Sequence, residues 1–280
     1  NVRENIRSTL DLSLNNVSRK FLCNQLDRLR SQRVSNGAVV VIENETGNAL
    51  ALVGSRDYFE PQSGQVNGAW APRSAGSTFK PFTYLLALEN GMTAATVIAD
   101  VPTDFSTATG VFSPVNYDRR FRGPVTLREA LANSLNVPAV KVLDYVGGAT
   151  VLQESLCLMG LSTLKESSSH YGLGLTIGNA GARLLELTNA YATLARLGEH
   201  RPVRMLDIDP IGSKRIFNRG SAWLIADILS DNDARAGAFG WDSALSFLFP
   251  VACKTGTSSD FRDNWAFGYT PEFTVGVWVG

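Results

Sequence analysis

The sequence has few of the residues on which most enzyme sites depend. Among its 280 residues are two histidines, His170 and His200, and three cysteines, Cys23, Cys157 and Cys253. The cysteines are isolated and odd in number, which fits neither a metal site nor a disulfide framework, so buried and unreactive thiols are predicted. Both histidines lie in polar, loop-like stretches, which argues against a Ser-His-Asp triad and against a zinc site.

The sequence also has no excess of charge of either sign and no long hydrophobic run. Lys+Arg and Asp+Glu balance at 26 each, so electrostatics give no reason to expect nucleic acid or an acidic membrane surface as a partner. The longest apolar runs, such as 38–42, are far shorter than a membrane span. The chain has no initiator Met and no signal peptide, and we therefore expect it to be part of a longer polypeptide.

The chain does contain enough apolar residues, 44% of the total, to bury the core of one large domain. Segment 1–36 is polar and basic and is predicted to be an N-terminal linker. This linker should end in an amphipathic helix, because Leu22, Leu26 and Leu29 fall at helical spacing. The remainder, 37–280, is predicted to form a single domain.

Strands are predicted at both ends of this domain and helices between them. The apolar runs 38–42 and 49–53 flank a Gly/Asn turn and indicate a hairpin in a sheet covered on both faces. Strands do not alternate with helices and no Gly-rich phosphate loop is present, so a Rossmann fold is excluded and a mixed α/β fold is predicted. Helices are predicted at 77–90, 138–146, 184–197 and 221–229, and a further short helix is predicted to begin after the capping box at Thr126. The stretch 93–123 is predicted to be irregular. Strands are predicted at 250–254, 265–269 and 273–279.

Ser77 and Lys80 are three residues apart on one predicted helix, so their side chains share a face. Serine is a weak nucleophile until a base removes its proton, and a charged lysine cannot be that base. Two features would lower the pKa of Lys80: the positive end of its helix, and a second cation at Lys254 if the motifs converge. Taken alone, the pair is better explained by a solvent-facing lysine at a helix start, and the other two motifs reverse that interpretation.

A second motif, Ser134-Leu135-Asn136, offers two groups that acyl transfer requires. The Ser134 hydroxyl can both donate and accept, as a proton shuttle to a leaving amine must. The Asn136 amide can bind a peptide backbone. In isolation, these two residues could simply terminate a helix.

A third motif, Lys254-Thr255-Gly256-Thr257, follows an apolar strand. Thr255 and Thr257 can hydrogen-bond a carboxylate and Lys254 supplies positive charge, while Gly256 lets a substrate approach the strand edge. The backbone N–H groups of Ser77 and Thr257 could form an oxyanion hole. Each motif is weak alone, but three in this order indicate a serine acyl-transfer site that needs no histidine.

The chain resembles the transpeptidase domain of class A high-molecular-weight penicillin-binding proteins, most closely the penicillin-binding protein 1C type. The resemblance implies an antiparallel central sheet with helices on both faces, in the fold that penicillin-binding proteins share with β-lactamases. Family members often have proline where this chain has Ala75. The family fold also continues with a further strand and a C-terminal helix, so a truncation at Gly280 is expected. The stretches that carry the resemblance are 6–11, 76–82, 122–131, 134–140, 190–195 and 254–280.

The resemblance also implies an activity, D,D-transpeptidation of peptidoglycan stem peptides ending in D-Ala-D-Ala, with an amine of a neighbouring stem as acceptor. β-Lactams would be inhibitors, and neither a metal nor a cofactor is expected. An upstream glycosyltransferase domain and a membrane anchor would place the full-length protein on the periplasmic face of the inner membrane. The implied roles are nucleophile for Ser77, base for Lys80, proton relay for Ser134, substrate-backbone binding for Asn136, and carboxylate binding for Lys254, Thr255 and Thr257 beside Gly256.

Three alternatives remain at this point. A class A β-lactamase has aspartate where this chain has Leu135, and it has a Glu-x-x-Leu-Asn loop for hydrolytic water. Here Glu166 is followed by three serines and His170, so Glu166 is predicted to be a surface loop residue. A D,D-carboxypeptidase, or a non-catalytic sensor or scaffold of the same fold, is not excluded by sequence. Segment 104–123 is predicted to be a solvated loop rather than a border of the cleft.

Overall fold

The strands of the central sheet come from two distant parts of the chain, and most of the helices lie between these parts in the sequence. The structure is a computed structural model that describes residues 6–107, 110–258 and 261–280. The strands are β1 (Gly37–Glu43), β2 (Ala49–Val53), β3 (Arg73–Ser74), β4 (Val97–Asp100), β5 (Phe105–Thr107), β6 (Gly110–Phe112), β7 (Gly123–Thr126), β8 (Gly181–Ala182), β9 (Glu199–His200), β10 (Lys214–Arg215), β11 (Ala252–Thr257), β12 (Asn264–Tyr269) and β13 (Phe273–Val279). The helices are α1 (Leu12–Arg28), α2 (Lys80–Glu89), α3 (Leu127–Ala132), α4 (Asn136–Tyr145), α5 (Gly148–Leu158), α6 (Ser168–Tyr171), α7 (Leu184–Ala195), α8 (Arg219–Ser230) and α9 (Asn232–Phe239), with 3-10 turns at Arg30–Gln32, Gly76–Phe79 and Gly172–Ile177.

A five-stranded antiparallel sheet in the order β11-β12-β13-β1-β2 is the centre of the fold. The predicted hairpin is confirmed as β1 and β2, and β13 pairs with β1 on one side and β12 on the other. All residues of β1 up to Ile42 are buried, which requires cover on both faces of the sheet. The long hydrophobic run of β1 is therefore the sequence signature of its central position.

Helix α1 covers one face of the sheet. Leu22 and Leu26, four residues apart, are buried against Val39 and Val41 of β1. The helix begins after Asp11, whose carboxylate accepts a hydrogen bond from the Leu14 N–H at 2.8 Å. The predicted amphipathic helix is thus confirmed, and it ends one residue before Leu29.

The opposite face of the sheet carries the larger helical layer and the main core. Helix α7 packs against β13 and β1, and α8 packs against β11. Helix α2 lies inside this layer, where every residue from Lys80 to Leu88 is buried. Because α2 is surrounded, the only charged side chain along that stretch, Lys80, is held away from water. None of the described helices is long and apolar enough to cross a membrane.

Three sequence expectations are corrected. Segment 93–123, predicted to be irregular, contains the ladder β5–β6 and most of the ladder β4–β7, which ends at Thr126. Ile98, Asp100 and Val125 are the three buried residues of these strands, so the strands give little hydrophobic pattern. Cys157, predicted to be buried, is exposed because it faces solvent on α5 while Leu152 and Leu156 face the core. Neither histidine lies in a loop, because His170 is in the short helix α6 and His200 is in the short strand β9.

Candidate active site

The three motifs meet at one cleft between the helical layer and the edge strand β11. Its volume is about 550 Å³. Two predicted site residues, Lys80 and Lys254, are buried beneath it, with 0% and 4% of their surfaces exposed. The other six predicted residues line the cleft: Ser77, Ser134, Asn136, Thr255, Gly256 and Thr257.

Ser77 lies on a 3-10 turn, Gly76–Phe79, and not on the α-helix that was predicted to start there. Helix α2 starts at Lys80, with Pro81 in its first turn, where a missing N–H costs nothing. The turn is held from below, because the buried Tyr191 hydroxyl donates to the Thr78 carbonyl at 2.7 Å. Tyr191 in turn stacks on Phe267 of β12, with 4.4 Å between ring centroids. The nucleophile candidate is therefore fixed to the sheet.

Two glycines allow β11 to approach this turn closely. Gly76 has φ +54°, and a Cβ there would lie 2.5 Å from the Thr257 carbonyl oxygen. A Cβ on Gly256 would lie 2.8 Å from the Ala75 carbonyl oxygen. The sequence suggested Gly256 as a place for substrate to approach, and the structure adds that Gly256 is needed for protein packing. The oxyanion hole between the Ser77 and Thr257 N–H groups stays a prediction.

Lys80 is a buried amine directed at the second motif. Its Nζ donates to the Ser134 carbonyl at 2.5 Å, to Asn136 Oδ1 at 2.6 Å and to Ser134 Oγ at 3.3 Å. Burial, and secondly the charge of Lys254, hold the pKa of Lys80 well below its usual value. The sequence argument named Lys254 and the helix end; burial, the larger cause, depends on long-range packing.

Ser134 lies between the two lysines. Its Oγ accepts from Lys254 Nζ at 2.8 Å as well as from Lys80 Nζ. Ser134 directly follows the cap of α3, as the Thr126 capping box predicted, and has φ +55°. A left-handed conformation is uncommon for serine and often marks a functional position. The hydroxyl is therefore placed to pass a proton between neighbours.

Lys254 completes the polar floor of the cleft. Its Nζ also donates to the Thr255 carbonyl at 2.7 Å. Burial, and then the nearby charge of Arg235, lower the pKa of Lys254 to about 7. Among the described residues, the Ser77 hydroxyl has no hydrogen-bond partner, so it is free to meet a ligand.

Several cleft residues were missed in the sequence. Tyr117 and Phe261 stand at the cleft, with ring centroids 6.1 Å apart and planes at 88°. Tyr117 lies in segment 104–123 and is 77% exposed, so it is solvated as predicted, but the prediction that this segment does not border the cleft is wrong at this residue. Glu166 is exposed and does not line the cleft, in agreement with its prediction as a surface residue. Other lining residues that carried no sequence signal are Ser74, Asn133, Ile177, Gly178, Asn179, Ala238, Phe239 and Ser258.

Comparisons with known proteins identify the family of the chain. The family model described as the penicillin-binding protein transpeptidase domain matches residues 37–279. Penicillin-binding protein 1C of Escherichia coli (strain K12) is 34% identical over 279 residues, which are 99% of this chain and 35% of that protein. Penicillin-binding protein 1A of Aquifex aeolicus (strain VF5) is 35% identical over 263 residues, which are 87% of this chain and 34% of that protein. The chain spans about a third of the length of these relatives.

Two solved structures share the fold. PonA1 from Mycobacterium tuberculosis has a TM-score of 0.79 at 22% identity, covering 99% of this chain and 76% of that chain. Penicillin-binding protein 1A from Haemophilus influenzae has a TM-score of 0.77 at 24% identity, covering 88% of this chain and 43% of that chain. The predicted fold class, an antiparallel sheet with helices on both faces, is confirmed.

Proposed function

Because this chain belongs to the transpeptidase domain family of class A penicillin-binding proteins, we propose that it is a D,D-transpeptidase that cross-links peptidoglycan through a Ser77 acyl-enzyme. The observation that carries this proposal is the buried Lys80 amine, whose pKa is depressed, one turn from Ser77 and hydrogen-bonded to Ser134. The donor would be a stem peptide ending in D-Ala-D-Ala.

In the first half-reaction, neutral Lys80 accepts the Ser77 proton as the serine oxygen bonds to the carbonyl carbon of the penultimate D-Ala. The C–N bond to the terminal D-Ala then breaks. The leaving amine takes a proton through Ser134, which contacts both lysines. Backbone N–H groups of Ser77 and Thr257 would stabilise the oxyanion.

In the second half-reaction, an amine of a neighbouring stem attacks the acyl carbon. The amine loses its proton by the reverse route, through Ser134 to Lys80, and the bond to the Ser77 oxygen breaks. Ser77 then regains its proton and a new peptide bond joins the two stems. Lys254, Thr255 and Thr257 would hold the donor's terminal carboxylate during acylation, and Asn136 would bind its backbone.

The relationship to class A proteins extends the proposal beyond this chain. Residues 37–280 would form the transpeptidase domain and 1–36 the linker before it. A glycosyltransferase domain and a membrane anchor would precede the linker in the full-length protein, on the periplasmic face of the inner membrane. β-Lactams would acylate Ser77 as donor mimics. The structure of PonA1 from Mycobacterium tuberculosis has also been solved in complex with penicillin V, and its TM-score with this chain is 0.77.

The test is intact mass after incubation with a penicillin, followed by peptide mapping and a turnover assay. We expect a persistent adduct on Ser77 and release of D-Ala from a D-Ala-D-Ala peptide only slowly without an amine acceptor and faster with one. Rapid release of hydrolysed penicillin would instead indicate a β-lactamase. Release that is independent of an amine would indicate a carboxypeptidase, and an adduct without turnover would indicate a sensor or scaffold.

The low pKa of Lys254, about 7, predicts how carboxylate binding depends on pH. Below this value Lys254 is an ammonium that attracts a carboxylate, and above it the amine is neutral. In the Ser77→Ala variant, which cannot be acylated, the Kd of a penicillin should rise with pH above 7, by at most about tenfold per pH unit. Calorimetry between pH 6 and 8.5 measures this.

Lys254→Met, introduced into the Ser77→Ala variant, provides the control for the pH dependence. Lys80 and Arg235 are the other cations that face Lys254 among the described residues. If Lys254 carries the effect, the methionine variant should bind more weakly at pH 6 and show little change up to pH 8.5. An unchanged slope in that variant would assign the titration to another group.

A further inference from the structure

Asn116 is a buried residue that no part of the proposed reaction uses. Only 2% of its surface is exposed, and it lies between β6 and β7, in the segment predicted to be solvated. Its Nδ2 donates to both carboxylate oxygens of Asp100, at 2.9 and 2.8 Å, and to the Arg120 carbonyl at 2.8 Å. Its Oδ1 accepts from the N–H groups of Asn136 and Val137, at 2.8 and 3.3 Å. The amide has acceptors on one side and donors on the other, so its orientation is fixed.

The two N–H groups that donate to Asn116 Oδ1 are the first two of helix α4. Such groups have no partner within a helix. The residue before the helix, Leu135, has no polar side chain with which to cap it. The third residue, Pro138, has no N–H. Asn116 therefore satisfies the exposed donors at the start of α4 from 20 residues away in the chain.

The same segment also sets the side chain of Asn136. Asn136 Nδ2 donates to the Val115 carbonyl at 2.7 Å, which turns Oδ1 toward Lys80 Nζ, 2.6 Å away. If the amide turned over, an NH₂ group would face the lysine instead. Val115 and Asn116 thus hold both the backbone and the amide of the residue that contacts the proposed base.

Asp100 keeps this arrangement in place. It ends β4 and is fully buried, and its oxygens accept from Asn116 Nδ2 and from the Arg122 N–H at 2.9 Å. It makes no ion pair with the described residues. A buried carboxylate without a cation is costly unless fully hydrogen-bonded. The Asp100 carboxylate therefore depends on its hydrogen bonds from Asn116 and Arg122, and the bonds from Asn116 fix the orientation of the Asn116 amide.

Resting on the proposed function, we propose that Asp100 and Asn116 are positioning residues for acylation of Ser77. Asp100 fixes the Asn116 amide, Asn116 caps α4, and Asn136 is thereby held with its oxygen toward Lys80. Tyr117, next in the chain, is placed at the cleft by the same anchor. The effect should appear in the acylation step, because the base is misplaced, more than in initial binding.

The test compares variants in the second-order rate of labelling by a fluorescent penicillin, resolved into Kd and the acylation rate constant. Asn116→Ala should lower the acylation rate constant roughly 10- to 100-fold, the cost of a misplaced catalytic group. Hydrogen exchange of the Asn136 and Val137 amides should accelerate in the same variant. Unchanged exchange at both amides would refute the cap.

Asn44→Ala is the matched control. Asn44 is also 2% exposed and makes three side-chain hydrogen bonds, to Thr270, Pro271 and Thr274, near the turn between β12 and β13. It should lose comparable stability and keep its acylation rate within about twofold at temperatures well below unfolding. Equal acylation losses in the two variants would reduce Asn116 to a structural residue and overturn the proposal.

A donor–acceptor swap tests Asp100 directly. Asn116→Asp alone places two carboxylates in contact, so we expect a larger loss than with alanine. In the double variant D100N/N116D, the new amide can donate to the new carboxylate, which still caps α4. The Arg120 carbonyl loses its donor in N116D and in the double variant alike, so this loss cancels when the two are compared. Recovery of about tenfold over N116D supports the pair, and no recovery overturns it.

Wild-type labelling separates the two proposals. A wild-type chain that never labels at Ser77 refutes the proposed function, and the exchange of Asn136 and Val137 then decides the positioning role alone. A wild-type chain that labels, with Asn116→Ala labelling at the same rate, refutes only the positioning role.

Discussion

Replacing Ser77 by alanine is expected to abolish covalent labelling by a penicillin. Ser77 lies on the 3-10 turn and lines the cleft together with Thr255, Gly256 and Thr257 at the end of β11. Removing a serine nucleophile costs on the order of 10⁶-fold in rate, so no adduct should be detected by mass. Stability should change little, because the hydroxyl makes no hydrogen bond with the described residues.

Ser74→Ala is the matched control for this prediction. Ser74 lines the same cleft, but its hydroxyl is committed to the Gly178 carbonyl at 2.9 Å. The Ser74 variant should still label at Ser77. An adduct on Ser77→Ala, located by peptide mapping at any other residue, would show that the nucleophile is wrongly assigned.

The parts of the site that could be predicted from sequence are those fixed by local chemistry. The Thr126 capping box predicted where α3 begins, and so placed Ser134 at its end. Pro81 is compatible with the first turn of α2, and Lys80 follows Ser77 closely enough to share its face. These signals act within a few residues. The prediction that the three motifs belong to one site came from their order in the sequence.

What could not be predicted depends on contacts between distant segments. The burial that lowers the pKa of Lys80 comes from helices packed around α2, and no local pattern reports it. Tyr117 meets Phe261 across more than half the chain, and Asn116 caps a helix that begins 20 residues later. Neither Tyr117 nor Asn116 was predicted to have a role, because the short strands of segment 93–123 pair without a hydrophobic stripe that would reveal them in the sequence.

Replacing Lys80 by methionine is the second change with a large expected effect. Methionine keeps most of the side-chain volume and removes the proposed base. The acylation rate should fall about 10³- to 10⁴-fold, the upper part of what general-base catalysis contributes. The wild-type rate should also decline as pH falls through the depressed pKa of Lys80, because only the neutral amine accepts a proton. The residual rate of the variant should lack that decline.

The depressed pKa of Lys80 also predicts how the free energy of unfolding depends on pH. The pKa of Lys80 is depressed in the folded state, so the unfolded chain binds the proton more tightly, and stability is lost as pH falls from the ordinary lysine pKa toward the folded one. Lys80→Met removes this pH-dependent penalty but also loses the three hydrogen bonds of the amine, which is a cost that does not change with pH. The free energy of unfolding of the variant, relative to that of the wild type, should therefore rise as pH falls from 10 to 7. Urea unfolding measures it.

Lys80→Arg distinguishes a base from a fixed charge. Arginine can donate to Ser134 and Asn136 as Lys80 does, but it remains protonated throughout the accessible pH range. If Lys80 acts by accepting the Ser77 proton, the arginine variant should be as slow as the methionine variant. Recovery of acylation by arginine would instead make Lys80 an electrostatic anchor, and the proton of Ser77 would then have to leave through Ser134 toward Lys254, the other buried amine of the site.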